Sequence, residues 1–277
     1  MMKMKVSDAY KKAVDFLEEK GVGNASFETD CLFEKFLSVN RVKRITDGDK
    51  EVDYSVIEPL LEKRISGVPV QYILGSWEFF GFEYEVGEGV LIPRPETEIL
   101  VEKALKLLKT ADNPVIIDLC AGSGCIGLTL ARLIPSSEVY LFEKSEKAFV
   151  FLSKNAEKIQ NATVIKTDIF QTDCEKYKKP DLIISNPPYI KTDEIPSLQT
   201  EVLNEPKMAL DGGKDGLDFY RLISEKWLEL INKNGFVAVE CGEEQAKDIE
   251  KLFSKECKKT YSVKDYNGTE RIVIGEK

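Results

Sequence analysis

The sequence predicts an α/β protein: a parallel, doubly wound sheet closed by an antiparallel hairpin, with a small helical domain in front of it. Three observations carry this expectation. From residue 114 onward, short apolar runs alternate with helical patterns, which implies parallel strands joined by crossover helices. Near the C-terminus, Tyr261–Tyr266 and Arg271–Ile274 flank Asn267-Gly268, a strong hairpin signal. In the first third, apolar residues recur at helical spacing instead.

The helical part reads as three amphipathic stretches. Tyr10, Ala13, Val14 and Leu17 follow i, i+3, i+4, i+7 spacing. Leu32, Phe33, Phe36 and Leu37 form a second apolar face, and Ile57, Leu60, Leu61 and Ile65 a third that ends near Gly67. Pro59 is tolerable in the first turn of that helix, where its missing amide has no partner to lose. Residues 72–92 change character. Trp77, Phe79, Phe80, Phe82, Tyr84 and Val86 alternate around Gly81, which predicts a strand pair. A stiff proline segment, Val90 to Glu98, then leads into a helix near 97–109. The expected domains are therefore 1–75, helical; 76–92, a hairpin linker; and 93–277, the α/β domain. In the last, strands are expected at 115–119, 138–142, 162–166, 181–185 and 235–240, and helices near 125–134, 145–160, 217–232 and 243–256.

Composition bounds what such a domain can do. Over 277 residues, 43% are hydrophobic and 31% charged, which suits a soluble protein with a real core. No apolar run approaches the ~20 residues that span a bilayer, and Met1-Met2-Lys3-Met4-Lys5 lacks the apolar stretch of a signal peptide, so a cytoplasmic location is expected. Net charge is −9, with no basic run, which argues against stable nucleic-acid binding. Six cysteines without a C-x-x-C pair make a metal site unexpected. There is no histidine, so Ser-His and Cys-His hydrolysis is excluded.

The chemistry is expected at the C-terminal ends of the strands. Asp118 closes the first apolar run, and Cys120-Ala121-Gly122-Ser123-Gly124 follows before a helix opens. Glycines at such a turn let a ligand approach the backbone, and the helix start offers free N–H groups. Gly122, Gly124 and Gly127 also spell G-x-G-x-x-G, a weak pattern that suits NAD as well. Glu143 ends the next strand, where a carboxylate can take ribose hydroxyls of either cofactor. Asp118 either faces a ligand amine or caps the helix. Asp168 could accept from an adenine amine, and Ile169 could cover the ring. After the fourth strand stands Asn186-Pro187-Pro188-Tyr189. Two prolines cannot extend a sheet ladder, but they hold the backbone stiff. The Asn186 amide and the Pro187 carbonyl could grip both hydrogens of a planar –NH2 group, with Tyr189 stacked on its plane. A plain strand-ending turn is the bland alternative. A hydride site is missing, whereas an acceptor-gripping loop is present. This favours S-adenosyl-L-methionine (AdoMet) over NAD, and a parallel sheet closed by an antiparallel hairpin is the usual shape of class I, Rossmann-like AdoMet-dependent methyltransferases.

Several stretches are more specific. Pro69 to Gly75 (P-V-Q-Y-I-L-G), Leu91 to Glu98 (L-I-P-R-P-E-T-E), Asp118 to Gly124, Ser185 to Ile190 (S-N-P-P-Y-I), and Glu205-Pro206 with Ala209 to Gly216 (A-L-D-G-G-K-D-G) resemble the release-factor glutamine N5-methyltransferase (HemK/PrmC) family. Asn-Pro-Pro-Tyr is shared with DNA-adenine and rRNA-guanine N-methyltransferases; the proline segment and the Gly-Gly segment are more distinctive. The resemblance implies AdoMet contacts at Cys120–Gly124, Glu143 and Ile169. It implies that Asn186–Tyr189 grips the Gln of the Gly-Gly-Gln motif of peptide-chain release factors, with the N-terminal helices docking that protein. Cys120-Ala121 replaces the commoner Gly-Thr, Glu143 the commoner Asp, and Ile169 a Trp of some relatives, so stacking at 169 is expected to be lost. Arg94, Glu96 and Glu98 are expected to shape the pocket entrance or link the domains. Rival readings are an amine methyltransferase of DNA or RNA, a non-catalytic AdoMet binder and a nicotinamide dehydrogenase.

Overall fold

A computed structural model describes residues 2–277. The chain divides into two compact units, the first ending at Ser76 and the second running Trp77–Lys277.

The first unit is mostly helical: α1 Val6–Glu19, α2 Ala25–Leu37, α3 Arg41–Thr46, α4 Glu58–Ile65 and α5 Val70–Leu74. Its core gathers Ala13, Leu17, Leu32, Phe33, Ile57 and Leu61 from the three expected apolar faces, joined by Ala9, whereas Phe36 and Ile65 of those faces are exposed. Pro59 lies in the first turn of α4. Two short strands, β1 Lys3–Lys5 and β2 Glu51–Asp53, pair antiparallel and were not expected. Three residues each carry too little periodicity to register in the sequence. A buried ion pair, Arg64 Nε to Glu28 Oε2 at 2.6 Å, ties α4 to α2.

The second unit opens with the hairpin of β3 Ser76–Phe79 and β4 Phe82–Glu85. Its turn residues Phe80 and Gly81 have φ of 53° and 75°, as a two-residue turn of the I′ kind requires. Phe80 is unfavourable there, and the Glu98 carboxylate offsets this by accepting its amide at 2.7 Å. The hairpin expected as a linker is part of the α/β core: Phe79 and Tyr84 are buried in it, and the Tyr84 hydroxyl lies 2.7 Å from Thr129 Oγ1.

Seven strands form the main sheet. They are β5 Val115–Leu119, β6 Glu138–Glu143, β7 Ala162–Lys166, β8 Leu182–Ser185, β9 Phe236–Glu240, β10 Lys259–Lys264 and β11 Glu270–Glu276, in the order β10-β11-β9-β8-β5-β6-β7. The five from β5 to β9 are parallel, and β11 runs antiparallel between β9 and β10. Alternate residues serve opposite faces. Ile116, Leu141, Leu182, Ile184 and Ala238 pack on one side, and Ile117, Leu119, Phe142, Ile183, Val237 and Val239 on the other. Helices α6 Pro95–Leu107, α7 Cys125–Leu133 and α8 Glu146–Ala156 belong to the first side; α10 Asp218–Leu222 and α11 Ala246–Phe253 to the second, with the short α9 Thr200–Leu203 in the loop after β8.

Two expectations are corrected. The helix expected over 217–232 breaks after α10 into a π turn, Ile223–Trp227, and a 3-10 turn, Leu228–Leu230. The widened turn lets Ile223, Trp227 and Leu228 all reach one core. The C-terminal hairpin does not turn on Asn267-Gly268 alone. Strand pairing stops at Lys264 and Glu270, and Asp265 closes a wider loop by accepting the amides of Asn267 and Thr269, both at 2.9 Å.

Candidate active site

The chain order reverses between β5 and β8, whose neighbours run on to β6 and to β9. Ligands of open α/β sheets bind outside the carboxyl ends of strands at such a switch point. Leu119 is in register with both Phe142 and Ser185, so the loops after β5, β6 and β8 leave the sheet side by side. A cleft opens there, with about 1010 Å³ of empty space including its mouth.

Cys120, Ala121, Gly122 and Ser123 form one wall, joined by Glu143, Asp168, Ile169, Asn186 and Pro188. The loop after β5 is tightly wound. Cys120 and Gly122 take left-handed φ of 61° and 58°, and the Ala121 amide donates to the Phe142 carbonyl at 3.0 Å. A Cβ on Gly122 would meet nothing within 4 Å, so its bare backbone is open to a ligand. Glu143 is buried and accepts the amides of Gly122 at 2.8 Å and Ser145 at 2.6 Å. Burial pushes its carboxyl above the usual range although those amides pull it down. Each oxygen keeps a second lone pair for a hydroxyl donor. Burial also raises Asp168, but Lys144 at 2.9 Å and the Phe170 amide outweigh it and hold the carboxyl low.

Three expected site residues lie elsewhere. Asp118 is fully buried behind the wall. Its Oδ2 accepts the Gly127 amide in the first turn of α7 at 2.9 Å, so helix capping is its observed work. Its Oδ1 has no hydrogen-bond partner, and burial pushes the carboxyl up to about 8. Gly124 begins α7 with φ of 82°, and a Cβ there would strike Leu152 and Leu128; it is a packing glycine and lines no ligand space. Tyr189 is also absent from the cleft wall, whereas Pro187 stands between the wall residues Asn186 and Pro188. The Tyr189 ring packs against the core beside Gly242 rather than standing over the cleft.

Other residues line the cleft as well. Phe170, exposed at the cleft, meets Phe219 edge-to-face at 5.3 Å between centroids. An aromatic surface therefore survives one residue after Ile169. Leu91, Ile92, Pro93, Arg94 and Thr97 line the cleft beside Asn186, as do Pro206 and Met208. Arg94 pairs with buried Glu205, which also accepts the Ile92 amide at 3.0 Å. This joins the proline segment to the loop after β8. Glu98, as described, holds the β3–β4 turn. Both acids thus act within the second unit.

Asn186 is braced from three sides. Its Nδ2 donates to Thr97 Oγ1 at 3.2 Å, and Thr97 Oγ1 donates to Glu240 Oε2 at 2.6 Å. The Tyr189 carbonyl accepts from Gln245 Nε2 at 2.9 Å. Ile190 exchanges backbone bonds with Leu210 and Gly212. Gly212 and Gly216 press on the loop so closely that a Cβ would lie 2.7 Å from the Tyr189 Cα and 2.4 Å from the Tyr189 carbonyl oxygen, respectively.

This sheet order, with a ligand cleft at the switch point and an Asn-Pro-Pro-Tyr loop at the end of β8, defines a methyltransferase. The family described as "Methyltransferase small domain" matches residues 96–215, and "PrmC N-terminal domain" matches residues 8–75. The catalytic domain of human Mettl16, solved with an RNA hairpin, superposes at TM-score 0.57 and 17% identity, covering 71% of this chain and 76% of that one. A methyltransferase from Pyrococcus furiosus superposes at TM-score 0.52 and 18% identity, covering 72% and 90%. Both likenesses speak to the fold alone.

The chain belongs to the release factor glutamine methyltransferase family. A member from Thermodesulfovibrio yellowstonii is 41% identical over 96% of this chain and 98% of its own length. One from Geobacter sulfurreducens is 39% identical over 94% and 92%, and one from Fusobacterium nucleatum 38% over 98% and 78%.

Proposed function

We propose that this enzyme transfers a methyl group from AdoMet to the side-chain amide nitrogen of the Gln in the Gly-Gly-Gln motif of peptide-chain release factors. The observation that carries the reading is the Asn186 amide, held at the cleft with its nitrogen turned to Thr97. Its Oδ1 is thereby left for a donor from outside. The curated relatives bear the name of this activity over nearly the whole chain.

The residues present fit AdoMet. Open backbone at Gly122 suits close approach of the methionine part, Glu143 suits ribose hydroxyls, and Ile169 with Phe170 suits the adenine faces. Asp168, beside them, keeps its acceptor role toward the adenine amine. When bound, AdoMet supplies an electrophilic methyl group on a sulfonium.

The chain's own residues act on the acceptor. An amide nitrogen is a weak nucleophile because its lone pair is delocalised. The Asn186 Oδ1 and the Pro187 carbonyl accept its two hydrogens, which localises the lone pair and offsets the positive charge that builds on nitrogen. Fixing that nitrogen against the methyl supplies the rest by proximity, up to about 7–11 kcal/mol in good cases. No general base is needed, because an N-protonated amide is strongly acidic; the absence of histidine is consistent with this. The N-terminal unit is assigned to docking the protein substrate, since a Gly-Gly-Gln loop offers little side chain to read. The expected site of action is the cytoplasm.

The test is transfer of tritiated methyl from AdoMet to a purified bacterial release factor, with a Gly-Gly-Gln to Gly-Gly-Ala control. Label confined to the wild-type factor is the expected result. An unlabelled factor with label on tRNA, rRNA or DNA would replace this reading with an aryl-amine methyltransferase.

A further inference from the structure

Three elements far apart in sequence meet behind the Asn-Pro-Pro-Tyr loop. Thr97 comes from the first turn of α6, Asn186 follows β8, and Glu240 ends β9. Thr97 and Glu240 are buried, 2% and 3% exposed. We infer that Glu240, acting through the Thr97 hydroxyl, is a positioning residue that fixes which end of the Asn186 amide faces the substrate. The inference rests on the reading that Asn186 grips the acceptor amide.

The argument is one of hydrogen-bond polarity. An ionised carboxylate can only accept. Glu240 Oε2 therefore takes the single hydroxyl hydrogen of Thr97, at 2.6 Å. The Thr97 oxygen is left with lone pairs alone, and Asn186 must offer it the –NH2 end, at 3.2 Å. The same –NH2 end also bears directly on the Glu240 carboxylate. The amide carbonyl then points away from both, toward the cleft. Turned the other way, Asn186 would set its oxygen against two acceptors and present N–H groups to an incoming N–H donor. Two donors facing each other cannot grip. A merely structural Thr–Glu contact has no reason to dictate the orientation of a residue on a third element; the donor count here does.

The charge state of Glu240 is part of the device. Burial pushes its carboxyl up to about 7, against the pull of Thr97, Arg271 on β11 and Asn186, with Glu96 on α6 raising it. Tyr189, Cys241, Cys125 and Tyr220 on α10 also face it, all of them neutral near pH 7, with burial raising each. Below that pH a protonated Glu240 can donate to Thr97, whose hydrogen is freed to bond the Asn186 oxygen. The grip is then lost. Thr97 lies in the distinctive L-I-P-R-P-E-T-E segment, whose role sequence reasoning left at the pocket entrance.

The experiment is single-turnover methyl transfer to a release factor, from pH 5.5 to 8.5, on the full-length wild type and on Glu240→Gln, Thr97→Val, Thr97→Ser and Asn186→Ala. AdoMet affinity is measured by calorimetry throughout. The wild-type rate is expected to fall as pH drops through about 7. Glu240→Gln should be at least tenfold slower and lack that fall, with AdoMet affinity unchanged. Thr97→Val should be similarly slow, and Thr97→Ser should recover most of what Val loses. Should Glu240→Gln not fold, the Val and Ser pair decides alone. Wild-type rates and an intact acid limb in Thr97→Val, alongside an inactive Asn186→Ala, would overturn the positioning role. An active Asn186→Ala would overturn the underlying grip instead.

Discussion

Gly212→Ala tests whether the Asn186–Tyr189 loop is positioned from behind. The added methyl would lie 2.7 Å from the Tyr189 Cα, 2.8 Å from the Pro188 oxygen and 2.9 Å from the Tyr189 carbonyl carbon. All three are backbone, so no side chain can rotate away. Relief to an ordinary contact of 3.4 Å requires a shift of about 0.7 Å in the loop that bears Asn186. Misplacing a reacting group by about 1 Å can cost 100-fold, so turnover should drop roughly 10- to 100-fold. Overpacking should cost about 1–3 kcal/mol of stability. AdoMet affinity should hold, since Gly212 is not among the residues that line the cleft. Gly268→Ala is the control. It sits in the C-terminal hairpin at φ of 87° with no atom within 4 Å of the new methyl. It should lose about 1–2 kcal/mol to left-handed strain with turnover intact. The assays are methyl transfer at saturating AdoMet and thermal unfolding. Full turnover in Gly212→Ala would refute the bracing argument, and equal loss of turnover in both variants would reduce it to a stability effect.

Further expectations follow from the same contacts. Glu143→Ala should weaken AdoMet binding about 10- to 100-fold, roughly 1.5–3 kcal/mol, because it removes a hydroxyl acceptor and frees the Gly122 amide; unchanged calorimetric affinity would rule out its ribose role. Arg64→Ala should strand Glu28 as a buried charge in the N-terminal unit and cost about 3–5 kcal/mol, whereas a loss below about 1 kcal/mol in denaturant titrations would show that water reaches the pair. Asp118 holds a proton in the folded state up to about pH 8 but only to about 3.8 when unfolded. The native state thus binds more protons between those values, so stability falls as pH rises across that window. Asp118→Asn keeps an acceptor for Gly127 and removes the titration, so its melting temperature should be flatter from pH 5 to 8 and exceed the wild type at pH 8. A steeper pH dependence in the variant would contradict the assignment.

Much of this fold is visible in apolar patterning, because strands buried on both faces read as unbroken apolar runs. β5 and β8 lie where the runs Val115–Leu119 and 181–185 place them. Legibility fails where tertiary packing decides. The turn at Phe80-Gly81 depends on Glu98 to hold a bulky residue at positive φ. The bend at Ile223–Trp227 serves a core assembled from other elements. In the site, cleft-lining residues on loops, such as Gly122 and Ile169, follow from strand ends and glycines. Asp118 and Gly124 carry the same local signature, yet they serve α7. Sequence spacing cannot distinguish an oxygen that faces a helix amide from one that faces a ligand. Phe170 was adjacent to a residue already singled out; its signal was an aromatic at a loop tip with no strand or helix to bury it.

Under the proposed function, the braces give the proline and Gly-Gly segments a role beside the loop that grips. Asn186–Tyr189 contains two prolines, and so lacks two of the amides that would otherwise anchor a loop to its neighbours. Stiffness within the loop must be matched by anchors outside it. Those anchors are Thr97 on the Asn186 side, Gln245 on the Tyr189 carbonyl, and the Leu210–Gly212 strand segment beside Ile190. Gly212 and Gly216 lie where even a methyl group would not fit. A loop that presents two acceptors to an –NH2 group can serve a glutamine or a nucleobase, because both offer the same two hydrogens. Under the proposed function, the choice between them falls to what surrounds the loop: Arg94, paired with Glu205, and Pro206 and Met208, which also line the cleft. The proline segment and the Gly-Gly segment are distinctive for this physical reason. They set the position of a shared grip and the shape of the entrance to it.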